Sequence, residues 1–309
     1  MATVNTAWDH VSSNIFKTWL IMFLFSVFVV GVIYVFARAW GYDPAGALGL
    51  TGMALILTGV LNFGSYFFSD KIVLGISGAK PVSEQHNKPL YRMVENLTIA
   101  AGLPVPKIYI IDDSAPNAFA TGRDPKHAAI AFTTGILAKL NKQELEAVTA
   151  HELSHVGNRD TLVMTVVSVL VGTIALLADW YMRSMWFGGN DRDSDNKANA
   201  IFMILAIVAA ILAPIIATLI QMAVSRRREF LADASGAILT RNPDALASAL
   251  LKISGDKEPL EVANRGTAHL YITNPLKGQD ALNSFAKLFS THPPVEERVK
   301  ALREMGGSL

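Results

Sequence analysis

Two long stretches without a single charge open the chain, Thr18–Ala37 and Pro44–Ser69. Each reaches the roughly 20 apolar residues that carry a helix across a hydrocarbon core. Trp19 stands at the start of the first, with Tyr34 and Trp40 near its other end, where aromatic rings mark a membrane interface. A cleaved signal peptide is the competing reading, but the run is long for one and has no clear small-x-small cleavage site. The pair predicts a helical hairpin across the bilayer. Gly46, Gly49, Gly52, Gly59 and Gly64 are expected to favour close helix contact. Thr161–Ala178 and Ala198–Ser225 are also uncharged and predict a third and a fourth span, with Pro214 as a kink.

The polar segments read differently. Pro89–Ala101 predicts a helix, Lys107–Ile111 a strand and Ala128–Thr133 a second short strand. Asn141 is an N-cap, with Glu144 three residues on, and opens a further helix. Only Gly157 interrupts the pattern from there to Ala178, so one helix is expected to run into the third span. A polar loop, Arg183–Lys197, follows that span, and the chain after the fourth is polar, helix-rich and broken at Pro243 and Pro275. The expected organisation is an N-terminal membrane hairpin at 1–69, a water-exposed polar segment at 70–160, a second hairpin at 161–225 and a second polar segment at 226–309. Arg226-Arg227-Arg228 after span four, with Lys71 and Lys80 after span two, places both termini and both polar segments in the cytoplasm. Arg183, Arg192 and Lys197 in the loop pull slightly the other way.

Composition sharpens this picture. The 309 residues are 51% hydrophobic, and the mean hydropathy is +0.33, as for a membrane protein. A net charge of +1 gives no reason to expect nucleic acid. There is no cysteine, so disulfides and thiolate metal ligands are excluded, and any metal must be held by His, Asp or Glu.

The chemistry lies in His151-Glu152-Leu153-Ser154-His155. Helix positions four apart share one face, so both imidazoles can reach one metal. Glu152 sits about 100° round the helix, close enough to serve a water on that metal as general base. A catalytic zinc needs a third protein ligand. Glu229 and Asp233 after span four are again four apart. Glu229 can supply the third ligand, and Asp233 can accept the outer N–H of a ligating His. His10, His86, His127 and His269 have no partner at metal spacing and read as surface or structural residues.

His151–His155, Asn117-Ala-Phe-Ala-Thr-Gly122, Arg227-Arg-Glu-Phe-Leu-Ala-Asp233 and His292-Pro-Pro294 with Glu297-Arg298 occur in this order around the four spans. In this the chain resembles the HtpX family of heat-shock-linked membrane zinc metalloproteases, relatives of the prenyl-protein-processing metalloendopeptidases. The resemblance covers nearly the whole chain. It implies a mainly α, integral membrane fold: four transmembrane helices with a gluzincin-like α+β zinc-protease domain assembled from two cytoplasmic segments. It implies one Zn2+ per chain on His151, His155 and Glu229, with Glu152 as base. It also implies an endopeptidase of the bacterial inner membrane that cleaves misfolded or damaged membrane proteins and unfolded polypeptides in quality control.

Two further sites are expected. The strand Ala128–Thr133 resembles the edge strand that binds peptide by β-addition, with Ala128, Ile130 and Phe132 along it and Asn117 bonding the substrate backbone. His292, held by two prolines, could steady the oxyanion. One rival reading is a site-2-type intramembrane protease, which the charged residues Lys142–Glu146 and Asn158–Asp160 around the motif oppose. The other is a membrane scaffold or metal transporter, which would carry ionisable residues inside its spans.

Overall fold

The computed structural model describes residues 7–167, 169–170, 207, 228–263, 267–275 and 293–306. It begins with two antiparallel helices, α1 (Ala7–Ala39) and α2 (Pro44–Ile76). Asp43 caps α2 by accepting from the Gly46 N–H, and Pro44 follows at the first helical position, where its missing N–H costs nothing. Both helices are long and apolar enough to cross a membrane. The pattern of α2 inverts that of a soluble helix. Leu48, Met53, Ile56 and Val60 face outward, while Ala47, Thr51, Ala54, Thr58, Ser65 and Ser69 are buried. Small residues at spacings of three and four let two backbones approach in lipid. Among the described residues, a Cβ on Gly49, Gly52, Gly59 or Gly64 would meet nothing.

A four-stranded sheet follows, from β1 (Lys80–Pro81), β2 (Lys107–Ile111), β3 (Ala118–Thr121) and β4 (Ala129–Thr133), in the order β1-β2-β4-β3. β2 and β4 are parallel, and β1 and β3 pair antiparallel on either side. The strand expected to form the edge is therefore interior, bonded on both sides, with Ile130 and Phe132 fully buried and the Ala128 carbonyl bonded to the Lys107 N–H. A continuous apolar run such as Ala-Ile-Ala-Phe is what a doubly covered strand needs. The edges are β1 and, beside β4, β3. Gly122 turns the chain after it at φ 127°, where a Cβ would lie 2.3 Å from the His127 carbonyl oxygen.

One face of the sheet packs on α3 (Lys88–Ala101), α5 (Lys142–Gly157) and α8 (Pro243–Gly255), through Ile130, Phe132, Val148, Leu153, Leu246 and Leu250. α4 (Thr134–Lys139) links β4 to α5. The other face meets the end of α2 and residues from 260 to 271, through Val73, Phe119, Ala131, Leu260 and Tyr271. Asn141 and Glu144 form the reciprocal capping box expected at the start of α5. Glu144 also takes bonds from Ser248 and Lys252, tying α5 to α8.

The expected single helix from the metal motif into the third span is broken. α5 ends at Gly157, Arg159 turns at φ 57°, and α6 restarts at residue 160. α6 then packs Leu162, Val166 and Leu170 against Met22, Phe25 and Val29 of α1. The remainder of that expected span, most of the fourth, and the 183–197 loop lie outside the described residues. α7 covers residues 228–240, and α9 (Val295–Gly306) closes the fold.

Candidate metal centre

α5 places His151, Glu152 and His155 in the buried seam between the sheet and α7; they are 0%, 1% and 4% exposed. The two imidazoles converge with their Nε2 atoms 3.2 Å apart. Glu229 of α7 brings Oε1 to 3.5 Å from His155 Nε2 and Oε2 to 3.8 Å from His151 Nε2. These three residues form a group whose ligand atoms lie within 4.8 Å of one another. A tetrahedral zinc with bonds of 2.0–2.2 Å separates its ligand atoms by roughly 3.3–3.6 Å. The separations and the two-nitrogen, one-carboxylate donor set fit that ion.

Helix packing makes this meeting possible. Glu229, Asp233 and Gly236 recur at i, i+4 and i+7, so they share the face of α7 turned to α5. At Gly236 the backbones nearly touch: a Cβ there would stand 2.9 Å from the His151 nitrogen.

Carboxylates hold the outer nitrogen of each imidazole. His151 Nδ1 is 2.9 Å from Asp233 Oδ1, although out of line for a hydrogen bond, and His155 Nδ1 is 3.2 Å from Asp160 Oδ2. Asp160 reaches back only because of the break at residues 158 and 159. Five positions along an unbroken helix would put it about 140° away from His155. It also accepts from Asn14 Nδ2 of α1 and faces Arg228 Nε at 3.3 Å. Arg228 is thus a buried ion-pair partner, not the exposed cation expected at a span end.

Arg298 of α9, 1% exposed, completes the cluster. Its Nε and Nη2 bond both oxygens of Asp233 at 2.7 and 2.6 Å, and Nη1 lies 3.2 Å from Glu229 Oε2. Asp160 and Arg298 are members that sequence reasoning missed. Arg298 stood in a quoted motif without a role, and Asp160 five residues beyond His155 offered no helical spacing.

Titration follows from these partners. Burial pushes the Glu152 carboxyl up to about 7, against the His155 charge and the Ala120 N–H bond that favour ionisation. Burial alone would lower His155, but its bonds to Asp160 and Glu229 outweigh this and raise it to about 10. Burial holds His151 below its ordinary value. Asp233 is likewise opposed by burial, yet the Arg298 guanidinium keeps its carboxyl below the usual range.

Asn117 does not point outward. It is 2% exposed, its Nδ2 donates to the Thr273 carbonyl, and its Oδ1 accepts from Ala118 N. The outward edge of β3 is partly taken as well, because Ile272 N donates to Ala118 O and Arg298 Nη1 to Ile272 O. His292 lies outside the described residues.

Residues 84–306 match the family model of peptidase family M48. A protease HtpX homolog of Thermoanaerobacter pseudethanolicus is 43% identical over 307 residues, covering 97% of this chain and 98% of the relative. One from Pyrococcus furiosus is 46% identical over 291 residues, covering 94% and 95%. The crystal structure of S. mikatae Ste24p is similar in fold, with a TM-score of 0.50 at 19% identity. That likeness covers 93% of this chain, which spans 66% of the Ste24p chain.

Proposed function

This chain belongs to peptidase family M48 and is a membrane-bound zinc metalloendopeptidase; on that premise we propose that His151, His155 and Glu229 hold its zinc and that Glu152 is its general base. The observation that carries the assignment is the convergence of two Nε2 atoms and one carboxylate at ligand separations of 3.2, 3.5 and 3.8 Å. A zinc ion held by His151, His155 and Glu229 would supply Lewis acidity to the scissile carbonyl and would lower the pKa of a water to about 7. Glu152 takes a proton from the attacking water and passes it to the leaving amine. Its carboxyl, held near neutrality by burial, suits both halves of that exchange. Asp233 and Asp160 orient the imidazoles so that Nε2 faces the ion. Arg298 offsets the charge of Asp233 and Glu229, which would otherwise be buried together.

Substrate enters along the outward edge of β3, whose Ala120 N–H already faces the Glu152 carboxylate. A polypeptide added as a strand there brings its carbonyl to the base. The natural substrates are cytoplasmic loops and tails of misfolded or damaged membrane proteins. Four spans in a bacterial inner membrane, with both protease segments and both termini in the cytoplasm, give the site that access. An intramembrane site of the site-2 type is disfavoured because α5 packs on a sheet and on α8, not on lipid.

Glu152→Ala is the test. Casein hydrolysis by the detergent-purified chain should fall at least ~10²–10⁴-fold, the usual share of a general base. Its zinc content, read by metal analysis, should stay at that of the wild type. Substantial turnover by this variant would remove Glu152 from the mechanism.

A further inference from the structure

A cavity of about 370 Å³ opens where the end of α2 meets the starts of β2 and β4. It has two unlike walls. Phe63 and Phe67 of α2 form one, and Lys71, Lys107, Arg123 and Lys126 surround the other. Asp70 is the carboxylate in this lining, and Asp124 beside it pairs with Arg123 Nε at 3.5 Å, so the three lysines and Arg123 outnumber two carboxylates. Lys71, Lys107 and Lys126 are exposed. Arg123 lies over the Phe67 ring at 5.2 Å and donates from Nη1 to the Phe67 carbonyl. Asp124, just outside the lining, folds the loop by accepting from the Lys126 and His127 N–H groups. His127 also turns its ring to Asp124, within hydrogen-bond distance at 2.8 Å.

The depth of this cavity is set by α2, read as a membrane span. Its uncharged residues end at Ser69, and Asp70 and Lys71 are the first charges. Just before them, Phe63, Tyr66 and Phe67 form an aromatic group, and Tyr66 stacks on Trp19 of α1 with centroids 5.7 Å apart. Trp19 and Phe63 are 56% and 59% exposed, so the group faces outward as an interfacial belt does. The cationic wall thus lies at headgroup level, and the apolar wall continues along the exposed face of α2 through Val60 and Ile56.

We propose that this cavity binds the phosphate headgroup of an anionic phospholipid, with the acyl chains running down the outward face of α2. The phosphodiester would sit among Lys71, Lys107, Arg123 and Lys126, and the lipid would pin the sheet to the membrane surface. A free phosphate matches only the cationic wall and leaves the aromatic one bare. A lipid satisfies both. Cations beside the cytoplasmic leaflet draw anionic lipid in any case. The cavity adds a defined place for one molecule.

The full-length chain, purified in detergent with phosphatidylglycerol, tests this by native mass spectrometry. The wild type is expected to retain one phosphatidylglycerol in preference to phosphatidylcholine. The triple substitution Lys107→Gln, Arg123→Gln, Lys126→Gln should weaken retention by roughly a hundredfold, from the worth of three cations near an anionic surface. A control, Lys142→Gln, Lys300→Gln, Arg303→Gln, removes the same charge elsewhere and should retain the lipid. Both variants are checked for wild-type melting temperature, and Lys126→Gln alone, at an exposed position, should show an intermediate loss. Equal weakening by the control, or no weakening by the triple variant, would overturn the proposal. Displacement of the lipid by excess inorganic phosphate would also overturn it, because it would mark a site for small anions.

Discussion

His151 and His155 belong to one motif but reach the metal-binding state from opposite directions. His151 is kept neutral by burial and is ready to donate its lone pair. His155, between Asp160 and Glu229, is raised to about 10 and so carries a proton at neutral pH until metal displaces it. A ligating imidazole must be unprotonated. Below this raised value each drop of one pH unit costs a factor of ten in the fraction ready to bind. Apparent zinc affinity should therefore climb about tenfold per unit between about pH 6 and 9, measured by competition with a chromophoric chelator. Asp160→Asn, which removes one of the two carboxylates that raise His155, should flatten the upper part of that slope. A zinc affinity of the wild type that does not change with pH would show that His155 is already neutral.

Among the elements, the contact of α5 with α7 decides whether the centre exists. Gly236 lets the helices approach until a methyl group has no room beside the His151 backbone. Gly236→Ala should push α7 outward, carry Glu229 away from both imidazoles, and weaken zinc binding by roughly 10–100-fold, the range found when groups supporting a ligand are disturbed. Retention of wild-type affinity, read by the same competition assay, would show that the helices adjust without moving the ligand. The edge of β3 poses a second question at this scale. Ile272 already uses the Ala118 carbonyl, so a peptide pairing along all of β3 must displace it. Ile272→Pro deletes that donor and is expected to raise the hydrolysis rate of a short peptide several-fold at unchanged zinc content. An unchanged or lower rate at full zinc content would mean that residues 271–273 do not compete with substrate.

At the scale of the whole molecule, the centre is tied to the membrane helices. Asn14 of α1 donates to the Asn158 carbonyl and to Asp160, so the amino end of α1 lies on the side of the zinc cluster. Lys71, Lys107 and Lys126 are exposed near the end of α2 on that same side, which is why we propose that side as the cytoplasmic one. Arg228 cannot serve as such a marker, since its charge is spent on Asp160. A reporter fused after Leu309 should accordingly report cytoplasm. A cysteine introduced at Gly189, in a chain that has no native one, should label only from the opposite face. If position 189 and the C-terminus label from one side, spans three and four do not form a hairpin, and the route by which Glu229 returns to His151 must be redrawn.

Much of this protein is local and was legible as such. The membrane helices follow from uncharged length, the α5 cap from Asn141 and Glu144, and the paired imidazoles from the four-residue spacing of His151 and His155. Each depends on neighbours along a single element, which periodicity reports directly. The strand order was not legible, because an apolar run such as Ala129–Thr133 is compatible with either an edge or an interior place, and only pairing with β2 and β3 decides between them. Which small residues of α2 are buried, Ala47, Thr51, Ala54 and Thr58 among them, was not legible for a similar reason: composition gives the residues, but the rotation of one helix against another selects which of them meet. Asp160 and Arg298 were invisible because their roles depend on a chain reversal and on a helix some 140 positions after His151. The chain by itself determined which side chains could do the chemistry. Tertiary structure decided which carboxylate faces which imidazole and which edge stays open, since both are set by packing between elements distant in sequence.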